Sequence, residues 1–142
     1  ESEDKPLDWY WQMNSYVTYT SESVMSVVIE ETWASEESWY MNITSINIDV
    51  ENGFILENDQ ILHIDEEFAK DFIARSNVQN GSVEVLEYMS PYEVYDFLSD
   101  SNSNIIFYTP LGMEVGFIYV VDDTMGYVTA TYQDYEKYLK NF

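Results

Sequence analysis

Cysteine is absent and histidine occurs once, at His63, so disulfides, thiolate metal sites and nearly all imidazole chemistry are excluded. Positive charge is almost as scarce. Five Lys and Arg stand against 27 Asp and Glu in 142 residues, a formal charge of −22 at pH 7. Such a field repels nucleic-acid phosphates and anionic membrane surfaces, so no direct nucleic-acid partner is expected. No apolar run reaches the roughly 18 to 20 residues that span a bilayer. The opening Glu1-Ser2-Glu3-Asp4 is the reverse of a basic signal segment, and no transmembrane segment is expected within the sequence. The chain begins without Met, as expected of a mature or trimmed form from which any targeting segment has been removed.

What is present is enough to fold. Hydrophobic residues make up 46% and aromatics 17% of the chain, more apolar matter than a disordered acidic segment carries. The length suits a single domain over residues 1–142, with 1–8 as an acidic tail. Residues 9–20, 23–33 and 38–50 are rich in Tyr, Val, Ile, Thr and Trp and read as three strands, the last closed by the turn signal Asn52-Gly53. Asp65 caps a helix reaching about residue 76, whose Phe68, Ala69, Phe72 and Ile73 make one apolar stripe. Ser90-Pro91-Tyr92-Glu93 is a capping box with proline at the first helical position, and Val94, Phe97 and Leu98 supply the apolar face. Three further strands follow at 104–109, 113–121 and 127–132, with Met113, Val115, Phe117 and Tyr119 as the core side of the middle one and a final helical turn in 134–142. The order βββααβββ predicts an α+β fold, an antiparallel sheet of about six strands with two helices on one face.

Several short motifs carry a family likeness. They are Met25-Ser26-Val27-Val28-Ile29-Glu30, then Thr44-Ser45-Ile46-Asn47-Ile48-Asp49-Val50-Glu51-Asn52-Gly53, then Ile106-Phe107-Tyr108-Thr109-Pro110-Leu111-Gly112-Met113, and Gly126-Tyr127-Val128-Thr129-Ala130-Thr131. In order and spacing they resemble the C-terminal domain of RsiV-type anti-sigma factors, a domain also found in PdaC-type peptidoglycan deacetylases and in bacterial lipoproteins. The resemblance implies an extracytoplasmic, non-catalytic sensing or binding domain of a Gram-positive bacterium, anchored at the cell surface through a segment outside this sequence. It implies a cationic protein such as lysozyme, or peptidoglycan, as partner. Glu31 to Ser38 stands where the family has a glycine-rich stretch, and no family contact residue carries over onto it.

The residues themselves point to binding more than to catalysis. His63 lies between apolar residues without a Gly-x-Ser-x-Gly turn to expose a nucleophile, and is expected to serve packing or capping. Asp100-Ser101-Asn102-Ser103-Asn104 begins with calcium-loop spacing but has Ile105 at the glycine position and Leu111 at the twelfth. No catalytic residue, metal site or cofactor is expected, and the protein reads as a non-enzyme. The candidate partner-binding residues are Trp33, Glu36, Glu37, Trp39, Asp122 and Asp123, acidic pairs beside aromatic residues. Two rival readings use the same features. One is an acidic DNA mimic that inhibits a nucleic-acid-binding protein; the other is a carbohydrate-binding module built on the aromatics.

Overall fold

The computed structural model describes residues 9–36, 39–121 and 124–140. The expected acidic tail at 1–8, together with Glu37, Asp122 and Asp123, lies outside the described residues. Strands β1 (Trp9–Thr20), β2 (Val24–Ser35) and β3 (Trp39–Asp49) form an antiparallel meander near the expected bounds. Strands β4 (Phe54–Leu56) and β5 (Gln79–Gly81) are short additions, and β6 (Asn104–Thr109), β7 (Gly112–Val121) and β8 (Thr124–Tyr132) form a second meander. Helices α1 (Asn58–Ile61), α2 (Glu66–Ala74) and α3 (Pro91–Ser99) lie between the meanders.

The α+β class holds, but the sheet departs from expectation in two respects. Among the described residues it has eight strands, not about six, in the order β1-β2-β3-β8-β7-β6, with β4 on β3 and β5 on β8. It is also mixed, because β3 and β8 run parallel where Trp39 pairs with Thr124 and Tyr40 with Met125. Both differences arise from backbone pairing that side-chain periodicity does not encode: Gln79-Asn80-Gly81 has no β pattern, yet it pairs with Val128 to Ala130. The last segment is a 3₁₀ turn over Tyr135–Tyr138, after which Leu139 bridges to Leu62.

Local signals place the helices. The Asp65 side chain accepts a hydrogen bond from the Phe68 N–H at 2.8 Å, and the Ser90–Glu93 box closes in both directions at 3.2 and 2.8 Å. Helices α2 and α3 then bury Phe68, Ala69, Phe72, Val94 and Leu98 against Met113, Val115, Phe117 and Tyr119 of β7. Phe97 stacks on Phe117 at 5.1 Å. The other face of this meander covers a smaller cluster, Val28, Ile43 and Ile105, with Phe107, Ile118 and Tyr127 at its margin. The sheet therefore folds back on itself, and β6 approaches the inner face of β1–β3.

That approach leaves the outer edge of β6 without a strand partner, and side chains supply one. Ser45 Oγ accepts from the Ile106 N–H at 3.0 Å, and Asn47 Nδ2 donates to the Ile106 carbonyl at 2.8 Å. Ser26 Oγ accepts from the Tyr108 N–H at 3.0 Å and donates to Asn47 Oδ1 at 2.5 Å. Thr18 Oγ1 donates to the Tyr108 carbonyl at 2.8 Å. Asn47 and Ser26 are fully buried, so an unpaired group here has no water to turn to. We expect Asn47→Ala to cost about 2 kcal/mol in urea unfolding, against under about 1 kcal/mol for Asn52→Ala in the exposed turn.

Beneath the helices, Arg75 holds the C-terminal segment. Its guanidinium donates to Asp71 at 2.6 Å and, through two nitrogens, to both oxygens of Asp134 at 2.9 Å, and it lies 3.8 Å from the Tyr132 ring centre. Hydrogen bonds from Arg75, and next from Lys137, hold the Asp134 carboxyl far below its ordinary value, with partial burial opposing them. Because the folded value lies below the unfolded one, the ion pair contributes fully above pH about 3.8 and is lost as pH falls through the folded value. The stability difference between the native chain and Asp134→Asn should therefore shrink steadily between about pH 5 and about pH 2, measured by urea unfolding at each pH.

Candidate binding surface and a buried carboxylate

Strand alternation and register sort the β1–β3 side chains into two faces. On the outer face Trp11, Trp33 and Tyr40 form one cross-strand row and Val17, Val27 and Ile46 another, while Met25 and Ile48 continue onto Ile55 of β4. No helix among the described residues covers these rows: Trp11, Val17 and Ile55 are each at least half exposed, as is Met13 beside them. Trp39 pairs with Ala34, which pairs with Tyr10, so Trp39 belongs to the opposite face. The two tryptophans singled out from sequence thus point to different sides. Glu36 is exposed just beyond the end of β2. The Trp39–Thr124 pairing brings the start of β3 and the start of β8 to one end of the sheet.

The described cations are confined to one part of the molecule, while carboxylates occur throughout it. The described cations are Lys70 on α2, Arg75 at its C-cap, and Lys137 and Lys140 in the C-terminal segment. Lys70 lies 3.6 Å from Glu67, Lys137 lies 3.0 Å from Asp134, and Lys140 donates to the Asp59 carbonyl at 2.6 Å. Among the described residues of β1 to β4 there is no Lys or Arg, whereas Glu22, Glu30, Glu31, Glu36, Asp49 and Glu51 all lie there. The crowding is felt locally: the Glu30 carboxylate pushes up the pKa of the Tyr16 hydroxyl beside it.

Below the inner face, Val28, Ile43, Ile105, Phe107 and Tyr127 line a partly open cavity of about 180 Å³, with Glu30 and Glu114 as its two carboxylates. Glu114 is buried near the start of β7. Its Oε2 accepts from Asn80 Nδ2 and Thr129 Oγ1, and its Oε1 from Thr131 Oγ1, each at 2.7 Å. β5 is what delivers Asn80, and the two threonines alternate along β8 on the same face. The charge is thus held by three neutral donors, and no cation is among the hydrogen-bonding partners that reach it.

No family model and no curated protein sequence matches the chain.

Other sequence candidates resolve locally. His63 is exposed, 3.6 Å from Asp65, with its backbone N–H donating to the Tyr138 carbonyl at 2.9 Å. Its side chain is therefore not the packing residue expected from its apolar neighbours, because the bridge between Leu62 and Leu139 turns Leu62 inward and His63 outward. Asp100 folds back on its own loop, accepting from the Asn102 N–H at 2.9 Å and from Ser103 Oγ at 3.3 Å. Among the described residues there is no group of three or more His, Asp or Glu able to hold a metal ion. No helix among them is long and apolar enough to cross a membrane.

Glu114 was invisible to sequence reasoning as a special group, since 27 acids mask any one of them. The available signal was a lone carboxylate on the covered side of an apolar strand, facing a Thr-x-Thr pair in the next. Removing its charge while keeping an acceptor lets the hydroxyl donors re-pair, so Glu114→Gln should leave stability within about 1 kcal/mol. Glu114→Ala strands three donors and should cost about 2 to 3 kcal/mol. Thermal and urea unfolding of the two variants check the contrast.

Proposed function

We propose that this chain is a non-catalytic, RsiV-like binding or sensing domain that acts outside the cytoplasm, its acidic sheet half engaging a basic protein of the lysozyme type or a cell-wall ligand. The observation that carries the reading is that no described cation lies in β1 to β4, so the carboxylates there are left unbalanced. Every described cation is on α2, at its C-cap or in the C-terminal segment and is already engaged, while the acidic groups of β1 to β4 flank uncovered aromatic rows. A cationic partner gains the unbalanced field as steering and finds Trp11, Trp33 and Tyr40 as apolar anchors inside an acidic margin. The likeness of the Ser26, Asn47 and Thr109-Pro110 motifs to the RsiV-type domain supports the same partner class.

The reading is tested by titration calorimetry with hen lysozyme, with a second basic protein of unrelated surface and with soluble peptidoglycan fragments, at low and high salt. Lysozyme binding is expected, weakening by about 10-fold or more as salt rises from about 50 to about 500 mM. Trp11→Ala should weaken it by at least about 10-fold, since truncating an interfacial tryptophan removes about 2 kcal/mol or more. No binding to any of the three at low salt removes the reading, and binding to peptidoglycan alone moves the partner to the cell wall.

A further inference from the structure

The two outer edges of the sheet are treated differently. At β6 the four outward backbone groups of Ile106 and Tyr108 are taken up by Thr18, Ser26, Ser45 and Asn47. At β1, the other end of the strand order, only β2 is paired, and nothing among the described residues covers the outer edge. This edge is 12 residues long, Trp-Tyr-Trp-Gln-Met-Asn-Ser-Tyr-Val-Thr-Tyr-Thr, with no charged residue, no proline and no glycine. Exposed edges are ordinarily protected by charge or proline, and a chain of −22 has carboxylates in plenty to place there. Their absence from this strand makes it the seam at which two equally charged molecules can meet.

We propose that β1 pairs antiparallel with β1 of a second copy about a two-fold axis at Met13, joining the two sheets into one. The regular ladder of β1 against β2 runs from Trp9 to Val17 before the register shifts, and Met13 is its midpoint. An antiparallel pair centred there is self-complementary: Met13 faces the partner's Met13, Gln12 the partner's Asn14, and Tyr10 the partner's Tyr16. Amide meets amide and ring meets ring, the pairings that stabilise neighbouring strands. Met13 and Trp11 are both about half exposed and free to pack across the seam. Glu31, beside Met13 on β2, then stands three strand spacings, about 14 Å, from its copy. That distance exceeds the screening length at physiological salt, about 8 Å, so added salt favours the pairing.

A basic partner has no electrostatic reason to choose this uncharged edge, whereas a second copy is excluded by charge from most of the remaining surface. The pairing shares Trp11 with the surface proposed for a basic partner, and salt separates the two, weakening a cationic partner and strengthening self-association.

The test uses the full chain in sedimentation velocity across a concentration series at about 20 and about 500 mM salt, where a dimer should form and tighten by about 10-fold or more at the higher value. Because the protein has no cysteine, single-cysteine variants read the register directly. Residues facing each other across an antiparallel pair lie within about 5.5 Å, inside disulfide reach. Met13→Cys should give a disulfide-linked dimer far faster than Ser15→Cys or Thr44→Cys, both exposed. Met13→Lys faces Glu31 within its own hairpin but places like charges face to face across the seam, and should abolish the dimer while leaving far-UV circular dichroism unchanged. A monomer at all concentrations, a dimer that loosens with salt, or crosslinking at Ser15 or Thr44 equal to that at Met13 overturns the proposal.

Discussion

The architecture turns on how the backbone groups along the outer edge of β6 are satisfied. Buried N–H and C=O groups must find partners, and here no further strand among the described residues supplies them. Ser26, Ser45 and Asn47, projecting from the inner faces of β2 and β3, and Thr18 at the β1 bulge do so instead. Because the Asn47 amide is also tied to Ser26, these contacts set the height at which β6 crosses the meander as well as its register. A slip by one residue turns Ile105 and Phe107 away from Val28 and Ile43 and strands both sets of polar groups at once. The small second core and the cavity over Glu114 exist only because this crossing is fixed.

Electrostatics shapes the rest. The few described cations are gathered where α2 meets the C-terminal segment, and there Arg75 joins Asp71, Asp134 and the Tyr132 ring. This concentrates the available attraction in one clamp that closes the chain. The remaining surface bears the repulsion, and the sheet half bears it without relief from within. Such a distribution favours any cation that arrives from outside, and it makes a charge-free strand the natural place for like to meet like. The proposed partner surface and the proposed seam are adjacent, and salt is expected to act on them in opposite directions.

Much of the scaffold was legible before any coordinates. The Ser90 box and the Asp65 cap placed α3 and α2 to within a residue or two, because capping is chemistry between neighbours. The alternation of Met113, Val115, Phe117 and Tyr119 marked the buried side of β7 for the same local reason. The weak points were where pairing is made by backbone alone. Gln79 to Gly81 carries no β signal yet becomes a strand, and the parallel contact of Trp39 with Thr124 joins segments some 85 residues apart with no pattern to announce it. Among the candidate binding residues are Trp33 and Trp39. The hairpin register puts them on opposite faces, a matter of odd or even count across a turn.

The amino-acid order by itself determined the charge, the chemistry that is missing, the helix ends and the side of each strand that must be buried, since these follow from side-chain type and from contacts a few residues apart. Tertiary structure alone decided that one sheet edge is capped by hydroxyls and an amide while the other has no partner among the described residues, and that Glu114 meets Asn80, Thr129 and Thr131. Those outcomes depend on where distant strands come to rest against one another, and that placement is set by the packing of the whole chain.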